Sequence, residues 1–589
     1  MKKILSAAAV SAALLMCGTS VHAQTAADTQ FEAVYKREWA WRQAELRGEV
    51  DEDNQDAVSP RLAKVDAATQ AARLKYWENI DAQLKAIKTA DLSPEAAVNY
   101  AVYQAQIEVL INNQRFKDYE KPLNADTAFW SNLSGVARRQ LRTERDYRNY
   151  IAQLNDFPRY FDEQITNMRA GLKRGFTPPK VTLEGRDSTI ISVTDAKTTE
   201  DVAYYAPFKT FPAGFSSELQ AELRAQGVAA IKGGVLPAYG KLKTFYQTEY
   251  APKARTELAA ETLPNGKAYY QAKIKEFTTL DLTAEQIHEI GLKEVAAINA
   301  RMKDVMAQTG FKGDLQQFLD FLRTDPQFYA KTPEELLMRA AWISKKFDGK
   351  AEQYFGYLPR KRFAIIPVPA DIAPFYTSGR GGPGVYLVNT YNLPARGLYS
   401  LPALTLHESA PGHAFQMPLA AEQQQPDFRR KSYISAFGEG WALYTEKLGE
   451  EMGMYETPYE LFGMLSYQQW RASRLVVDTG IHAKGWTRKQ AQDYLASNTA
   501  LAQHEITTEV DRYIAWPGQA LSYYLGEMEI VNARARAEKA LGPKFDIRNF
   551  HDTVLQLGSV TLPVLNARID RFIAEGGPSP YTKADIDRP

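Results

Sequence analysis

The sequence is almost without cysteine, since Cys17 is the only one among its 589 residues. A single cysteine forms no disulfide within the chain, and zinc sites built on several thiolates are excluded. Histidine is also scarce, with seven residues in all. Any metal site in this protein must therefore combine a few histidines with carboxylates.

The sequence also lacks an excess of charge of either sign. Lys and Arg total 71 and Asp and Glu total 70, a formal net charge of +1. This balance argues against a nucleic-acid-binding protein that depends on overall charge. No stretch approaches about 18 unbroken apolar residues, so no integral membrane segment is predicted. The hydrophobic content of 45% is enough for a sizeable core.

The first 23 residues are typical of a secretory signal peptide. Two lysines precede an apolar run over residues 4–16, and a Val-His-Ala sequence ends at Ala23 with small residues at the two cleavage-determining positions. We therefore expect cleavage after Ala23 and an exported protein, either periplasmic or extracellular. Lipid attachment at Cys17 is the alternative, which Met16 disfavours because a small residue is expected before a lipidated cysteine.

The rest of the sequence predicts a mainly α-helical protein. A capping box formed by Thr283 and Gln286 predicts a long helix over Ala284–Gln308. The turn signal at 263–266 is the expected boundary between an N-terminal helical region, 24–265, and a C-terminal catalytic region, 266–589, which together form one structural unit. Apolar residues recur at spacings of three and four in further segments, 63–87, 96–116, 137–171 and 217–250.

Two short strands are expected among the helices, at 363–368 and 385–391, where β-branched and aromatic residues are frequent. The glycine-rich segment 379–384 between them lacks the Lys-Ser/Thr of a phosphate-binding loop and is predicted to be a loop that lets backbones approach closely. The second strand is expected to lie at an edge of its sheet, and the alternative is a buried strand.

A metal site is predicted around His407 and His413. In the zinc-peptidase motif H-E-x-x-H, two histidines share one helix face and the glutamate reaches the water on the metal. Here the second histidine stands at i+6, which on an unbroken helix points roughly 240° away from the first. Pro411 lacks an N–H and Gly412 permits a distorted backbone, so a local break there returns His413 to the side of His407. By contrast His288 precedes a glutamate with no second histidine nearby, and it is interpreted as a surface feature.

A third ligand is expected at Glu439, which lies between two glycines in an apolar, aromatic segment. Burying this carboxylate without a partner is costly, and a metal ion is a natural partner, although an arginine also serves. Glu446 follows seven residues later on the same helix face, where it either orients a ligand or is solvated.

Three segments together resemble the bacterial domain-of-unknown-function family 885: His407-Glu408-x-x-Pro411-Gly412-His413, Glu439–Tyr444 and Tyr513–Tyr523. The resemblance covers most of the chain after the signal peptide. That family resembles helical gluzincin metallopeptidases such as thimet oligopeptidase and carboxypeptidase Taq, which implies a large, mainly α fold with a small β element beside a deep cleft. It also implies one Zn²⁺ held by His407, His413 and Glu439, with Glu408 as the general base.

The resemblance further implies a tyrosine that donates to the oxyanion of the transition state, with Tyr523 as the candidate and Tyr524 in reserve. The alternative is that Tyr523 is only a packed side chain. As in related peptidases, an extended peptide is expected to pair along the strand at 385–391, with Tyr386 and Asn389 contacting substrate; the alternative is a buried strand without a ligand. Additional substrate contacts are expected from Arg512, Gln519 and His482, each with a structural role as its alternative. Arg380, Arg396 and His504 are likewise interpreted either as substrate contacts or as residues with a structural role.

The predicted function is that of a secreted zinc-dependent hydrolase, a peptidase acting on a peptide or small amide, with no nucleic-acid partner. One alternative is a periplasmic helical binding or chaperone-like protein with a non-catalytic metal site. An inert site has no need of Glu408 beside its first ligand, which favours the enzyme. The other alternative is a metal-dependent hydrolase of non-peptide amides or esters, which uses the same residues. No G-x-S-x-G sequence supports a serine hydrolase.

Overall fold

Helices dominate the part of the chain that the structure describes. The structure is a computed structural model that describes residues 24–46, 59–124, 127–370, 372–582 and 585. The predicted signal peptide, including Cys17, lies outside these residues. None of the described helices is both long enough and apolar enough to span a membrane.

The N-terminal region contains ten α-helices among its described residues: α1 (Ala26–Glu45), α2 (Ala67–Lys85), α3 (Pro94–Phe116), α4 (Phe129–Asn132), α5 (Ser134–Ala137), α6 (Glu144–Lys173), α7 (Ser188–Thr194), α8 (Ser217–Ala230), α9 (Leu236–Phe245) and α10 (Ala251–Lys253). Two π-helical turns, 231–235 and 246–250, join the last three into a nearly continuous rod. Helix α6 begins later than the apolar pattern predicts, because Thr143 caps it by accepting a hydrogen bond from the Asp146 N–H.

Two apolar cores stabilise this region. Helices α1, α2 and α3 enclose Trp77 and Tyr103, both almost inaccessible to solvent. A larger aromatic core, drawn from residues 62–254, surrounds Trp130 and Phe161 on α4 and α6. Phe428, far along the chain, joins the first core and so ties the C-terminal half to these helices.

The middle of the chain consists of α11 (Gly266–Thr278), α12 (Ala284–Gln308), α13 (Leu315–Thr324), α14 (Pro333–Asp348) and α15 (Ala351–Tyr354). Helix α12 has the predicted bounds, and its capping box is formed by Thr283 and Gln286, each of which binds the backbone N–H of the other. The hydrogen bonds of the capping box join residues only three positions apart, so the sequence alone predicts the start of the helix without knowledge of the rest of the fold.

The C-terminal half contains α16 (Leu401–Glu408), α17 (His413–Glu422), α18 (Asp427–Arg430), α19 (Ser435–Glu451), α20 (Pro458–Lys484), α21 (Arg488–Asn498), α22 (Gln503–Ala515), α23 (Ser522–Leu541), α24 (Ile547–Gln556) and α25 (Leu562–Ala574). Helix α20 packs along α12, and α19 packs along α23. The second pair lies very close, because a Cβ placed on Gly440 would come within 2.4 Å of the Gly526 carbonyl carbon.

A three-stranded sheet lies between α15 and α16 in sequence. Its strands β1 (Ala364–Pro367), β2 (Gly379–Gly382) and β3 (Val385–Val388) have the order β1-β3-β2. Strand β3 is parallel to β1 and antiparallel to β2. Two predictions are therefore wrong: most of the glycine-rich segment is a strand rather than a loop, and β3 is the central strand rather than an edge. With neighbours on both sides, β3 has no free edge for a peptide.

Candidate metal centre

The helix that carries His407 is broken as the Pro-Gly pair predicts. Helix α16 ends at Glu408, and α17 begins at His413. In the connection, the Gly412 N–H donates to the Leu406 carbonyl at 3.0 Å, a contact so tight that a Cβ on Gly412 would lie 1.9 Å from the His407 carbonyl oxygen. The break brings the two imidazoles together, with ring centroids 4.9 Å apart and nearly perpendicular planes.

Glu439, on the second turn of α19, meets both histidines. Its Oε2 lies 3.5 Å from His407 Nε2 and 3.4 Å from His413 Nε2. The other oxygen, Oε1, accepts a hydrogen bond from the Tyr433 hydroxyl at 3.0 Å. Ligands that each lie about 2 Å from a tetrahedral zinc are separated by about 3.3 Å, so this donor set fits the ion.

Glu408 lies beside this set, since His407, Glu408 and His413 offer ligand atoms within 4.8 Å of one another. Its Oε2 accepts a hydrogen bond from the Gly381 N–H on β2 at 2.6 Å. Because that oxygen is already held, and because Glu439 Oε2 is closer to both imidazoles, Glu439 completes the better ligand set. Glu408 then remains available next to the site as an acid or base.

Glu446 lies two turns after Glu439 on α19 and contacts the side of the His407 imidazole that faces away from Glu439. Its side chain is fully buried, and His407 Nδ1 donates to its Oε1 at 2.8 Å. Arg471 of α20 lies on the same oxygen, with Nη2 at 3.5 Å. A carboxylate on Nδ1 fixes the tautomer and leaves Nε2 with its lone pair free for a metal.

The charges of the centre favour a bound cation. Burial disfavours the imidazolium form of His407, but hydrogen bonds to Glu439 and Glu446 raise the pKa of His407 to about 10. Burial also disfavours the Glu439 carboxylate, yet the two histidines hold the pKa of Glu439 well below its ordinary range. A divalent ion supplies the positive charge that a proton supplies otherwise, so the site suits metal binding coupled to proton release.

Three of the predicted substrate-site residues come together next to the centre. The Tyr523 ring, on the first turn of α23, lies 6.4 Å from the His407 ring in a nearly parallel orientation. Arg512 Nη2 donates to the Tyr523 hydroxyl at 3.1 Å and to Gln519 Oε1 at 2.8 Å. The guanidinium of Arg474 lies 4.3 Å from the centroid of the Tyr523 ring. These contacts hold the tyrosine beside the cluster of His407, His413 and Glu439.

Two other predicted residues are held elsewhere. The Tyr524 hydroxyl donates to Glu294 Oε2 on α12 at 3.0 Å. His482 is fully buried, and its Nδ1 accepts from the Ala260 N–H while its Nε2 donates to the Tyr513 carbonyl. Since burial lowers the pKa of His482 to about 3, it is a neutral structural histidine and not a substrate contact.

The substrate contacts predicted on β3 are also not formed. Tyr386 and Asn389 have no exposed surface. Asn389 Nδ2 donates to three carbonyls of the loop before β2, those of Ala373, Tyr376 and Thr377. Both predictions assumed an edge strand, whereas the pairing of β3 on both sides turns these side chains into the interior.

Sequence reasoning missed Gly381 and the arginines of α20, Arg471 and Arg474. The glycine carries no side-chain signal, because its function here depends on its backbone N–H. The arginines do carry one: they stand in a helix that is buried without interruption from Phe462 to His482. A buried guanidinium requires acceptors, so its presence in a buried helix indicates a polar site nearby.

Comparisons with known proteins agree with this fold. "The putative lipoprotein from Colwellia psychrerythraea" has a similar crystal structure, with a TM-score of 0.85, 27% identity, and coverage of 93% of this chain and 99% of that one. A "putative lipoprotein of unknown function from Shewanella oneidensis" shares the fold with a TM-score of 0.66, 16% identity, and coverage of 92% and 99%. No protein with a curated description matches the chain. The profile of a family described as "Bacterial protein of unknown function (DUF885)" matches residues 42–569. The chain therefore belongs to the DUF885 family.

Proposed function

We propose that this protein is an exported zinc-dependent hydrolase that cleaves peptide bonds. The observation that carries the proposal is the meeting of His407 Nε2, His413 Nε2 and Glu439 Oε2, with the carboxylate separated from the imidazoles by 3.5 and 3.4 Å. Two histidines and one glutamate are the protein ligands of catalytic zinc sites that keep one position open. A structural zinc site, by contrast, is closed by a fourth protein ligand.

Glu408 acts as the general base in this proposal. A zinc ion at the site supplies Lewis-acid activation of water and of the scissile carbonyl group. Glu408 takes a proton from the attacking water and delivers it to the departing amine. The Gly381 N–H, 2.6 Å from Glu408 Oε2, orients the carboxylate and leaves its other oxygen for the proton.

Tyr523 donates a hydrogen bond from its hydroxyl group to the oxyanion that develops during attack. Arg512 already donates to the same oxygen at 3.1 Å, so the phenol hydrogen is directed away from Arg512. A preorganised donor of this kind stabilises the transition state without reorganisation during the reaction. Glu446 keeps His407 Nε2 directed at the metal position by accepting from Nδ1.

Peptides are the proposed substrates because the order of the groups, His-Glu and then His on a broken helix followed by Glu on a later helix, resembles that of the gluzincin peptidases. Export is supported by the signal-peptide pattern ending at Ala23 and by the description of two similar structures as lipoproteins. The location of the mature protein is tested by N-terminal sequencing of the exported chain, which should begin at Gln24.

The activity is tested by digesting a peptide library with the mature protein, residues 24–589, and identifying products by mass spectrometry. We expect cleavage with one equivalent of zinc, loss of cleavage with a chelator, and recovery when zinc is restored. If the zinc-loaded protein binds its metal but cleaves no peptide, the peptidase proposal is wrong. Hydrolysis of amide and ester substrates then separates the two alternatives, a hydrolase of non-peptide substrates and a binding protein with a non-catalytic metal site.

A further inference from the structure

Tyr433 lies at the metal centre, and the proposed function gives it no role. It belongs to the connection between α18 and α19, and 44% of its surface is exposed. Its ring centroid lies 6.4 Å from that of His413, and its hydroxyl donates to Glu439 Oε1 at 3.0 Å. The closest contacts of Glu439 with His407 and His413 involve the other oxygen, Oε2. Tyr433 therefore binds the carboxylate oxygen that the predicted ligand set does not use.

The segment that carries Tyr433 is held on α3, far away in sequence. Gln106 Nε2, on that helix, donates to the Ser432 hydroxyl at 2.7 Å and to the Phe428 carbonyl at 3.2 Å. The Phe428 ring is buried in the apolar core of α1, α2 and α3. Because Ser432 directly precedes Tyr433, these contacts limit where the tyrosine enters the metal centre.

The ring of Tyr433 also lies against α19, where glycine leaves room for it. A Cβ on Gly438 would come within 2.4 Å of the ring atom Cε2 and of the hydroxyl oxygen. Glycine within a helix is less stable than alanine, because it loses more conformational freedom on folding. The helix therefore carries an unfavourable residue directly before Glu439, at a position where the ring of Tyr433 requires the space.

The number of oxygens that Glu439 gives to a metal decides how open the site is. A carboxylate binds a metal ion through one oxygen or through both. Two histidines and one carboxylate oxygen supply three donor atoms, which leaves the fourth tetrahedral position for water. With both oxygens bound, the same three residues supply four donor atoms and close a tetrahedral site. A donor that holds Oε1 therefore keeps a position open for water.

We propose that Tyr433 is a positioning residue that restricts Glu439 to ligation of the metal through one oxygen. Its hydroxyl holds Oε1, and Oε2 is left to meet the metal together with His407 and His413. This proposal rests on the proposed function, because it requires a metal at this centre. Tyr433 acts through Glu439, whereas Tyr523 acts on the substrate.

The ligation is tested with crystal structures of the zinc-loaded mature chain and of its Tyr433→Phe variant. In the parent, Oε2 of Glu439 should lie about 2 Å from zinc, with Oε1 outside bonding distance. Tyr433→Phe keeps the ring but lacks the hydroxyl, so both oxygens should bind zinc in the variant. Ligation through one oxygen in Tyr433→Phe, or through both oxygens in the parent, overturns the proposal.

Kinetics give a second readout for Tyr433→Phe. We expect kcat to fall about 10- to 100-fold, as is typical when a group that orients a metal ligand is lost. KM should change little, because the ring remains in place. A lower kcat with Glu439 still bound through one oxygen also overturns the proposal, since the hydroxyl then acts on the substrate and not through Glu439.

Gly438→Ala tests the position of the ring without removing the hydroxyl. The added methyl group displaces the ring, so this variant should show the same two-oxygen ligation and the same loss of kcat. Alanine is favourable in a helix, and thermal unfolding checks that the fold is retained. Ligation through one oxygen in folded Gly438→Ala contradicts the proposal.

Tyr354→Phe is the matched control. The Tyr354 hydroxyl donates to the Glu451 carbonyl at 3.1 Å, on the same helix as Glu439 but roughly 18 Å further along its axis. This variant should keep the ligation and the kcat of the parent. A loss of kcat equal to that of Tyr433→Phe means that the effect is not specific to Tyr433.

The structures separate this proposal from the proposed function. If the zinc-loaded parent cleaves no peptide, the peptidase proposal fails, and the positions of the two Glu439 oxygens still decide the role of Tyr433. If Glu439 binds through one oxygen with and without the hydroxyl while peptides are cleaved, only the role of Tyr433 fails. A parent that binds no zinc at this centre overturns both proposals.

Discussion

His407 Nδ1 donates to Glu446 Oε1 at 2.8 Å, on the opposite side of the imidazole from Glu439. This contact decides that Nε2 of His407 is the nitrogen that faces Glu439, where the proposed zinc ion lies. We expect Glu446→Gln to weaken zinc binding about 10- to 100-fold, because the amide holds the ring less strongly and lowers its basicity. Chelator competition measures the affinity. Glu450→Gln, on the exposed side of the same helix, is the control, and an unchanged affinity in Glu446→Gln contradicts this role.

The mature protein should contain about one zinc ion per chain, measured by elemental analysis after dialysis. His413→Ala should lose most of this metal, since two ligands hold zinc much less tightly than three. His504→Ala replaces an exposed histidine on α22 and should retain it. Equal metal content in both variants is the result that removes His413 from the ligand set.

Glu408→Gln should reduce peptide cleavage about 10²- to 10⁴-fold while zinc content stays close to that of the parent. The amide keeps the size of the side chain but does not accept a proton from water. The chain offers a matched control in Glu289→Gln, which alters the other His-Glu pair at an exposed position of α12. Cleavage at the parent rate by zinc-loaded Glu408→Gln means that another group is the base.

Tyr523→Phe should lower kcat about 10²- to 10³-fold with little change in KM, because the donor acts mainly in the transition state. Tyr524→Phe is the neighbouring control, since its hydroxyl is bound to Glu294 and directed to α12. Both rates are measured on the same peptide at saturating zinc. A large loss in Tyr524→Phe together with a small one in Tyr523→Phe reverses the assignment.

Asp552 should make stability depend on pH. Burial raises the pKa of Asp552 to about 7, despite hydrogen bonds from the Gly356 and Tyr357 N–H groups. The folded protein then keeps a proton that the unfolded chain releases near pH 4, so this contribution to stability falls as the pH rises from about 4 to 7. Asp552→Asn has no such proton, and its melting temperature relative to the parent should therefore rise over this interval and level off above pH 7. A constant difference contradicts the raised pKa.

Local signals predicted the parts of the fold that depend on neighbouring residues in sequence. Thr283 and Gln286 marked the start of α12, and Pro411 with Gly412 marked the break that brings His413 to His407. The position of β3 within the sheet was not predictable in this way, because strand order depends on pairing with β1 and β2. The predictions of substrate contacts at Tyr386 and Asn389 were wrong because the central position of β3 in the sheet was not predicted. The expected division near residue 265 and the roles of the site residues stay predictions.

The contact between Gly381 and Glu408 has a consequence for how this site tolerates mutation. The donor is a main-chain N–H, which every residue except proline supplies, yet a Cβ on residue 381 would lie 1.8 Å from the Glu408 carbonyl oxygen. Space alone therefore restricts this position to glycine. A search for functional polar side chains does not detect such a residue. Weakening the hydrogen bond to Glu408 without displacing neighbouring atoms requires a change in the backbone itself, such as an ester in place of the Gly381 amide, because the ester has no N–H.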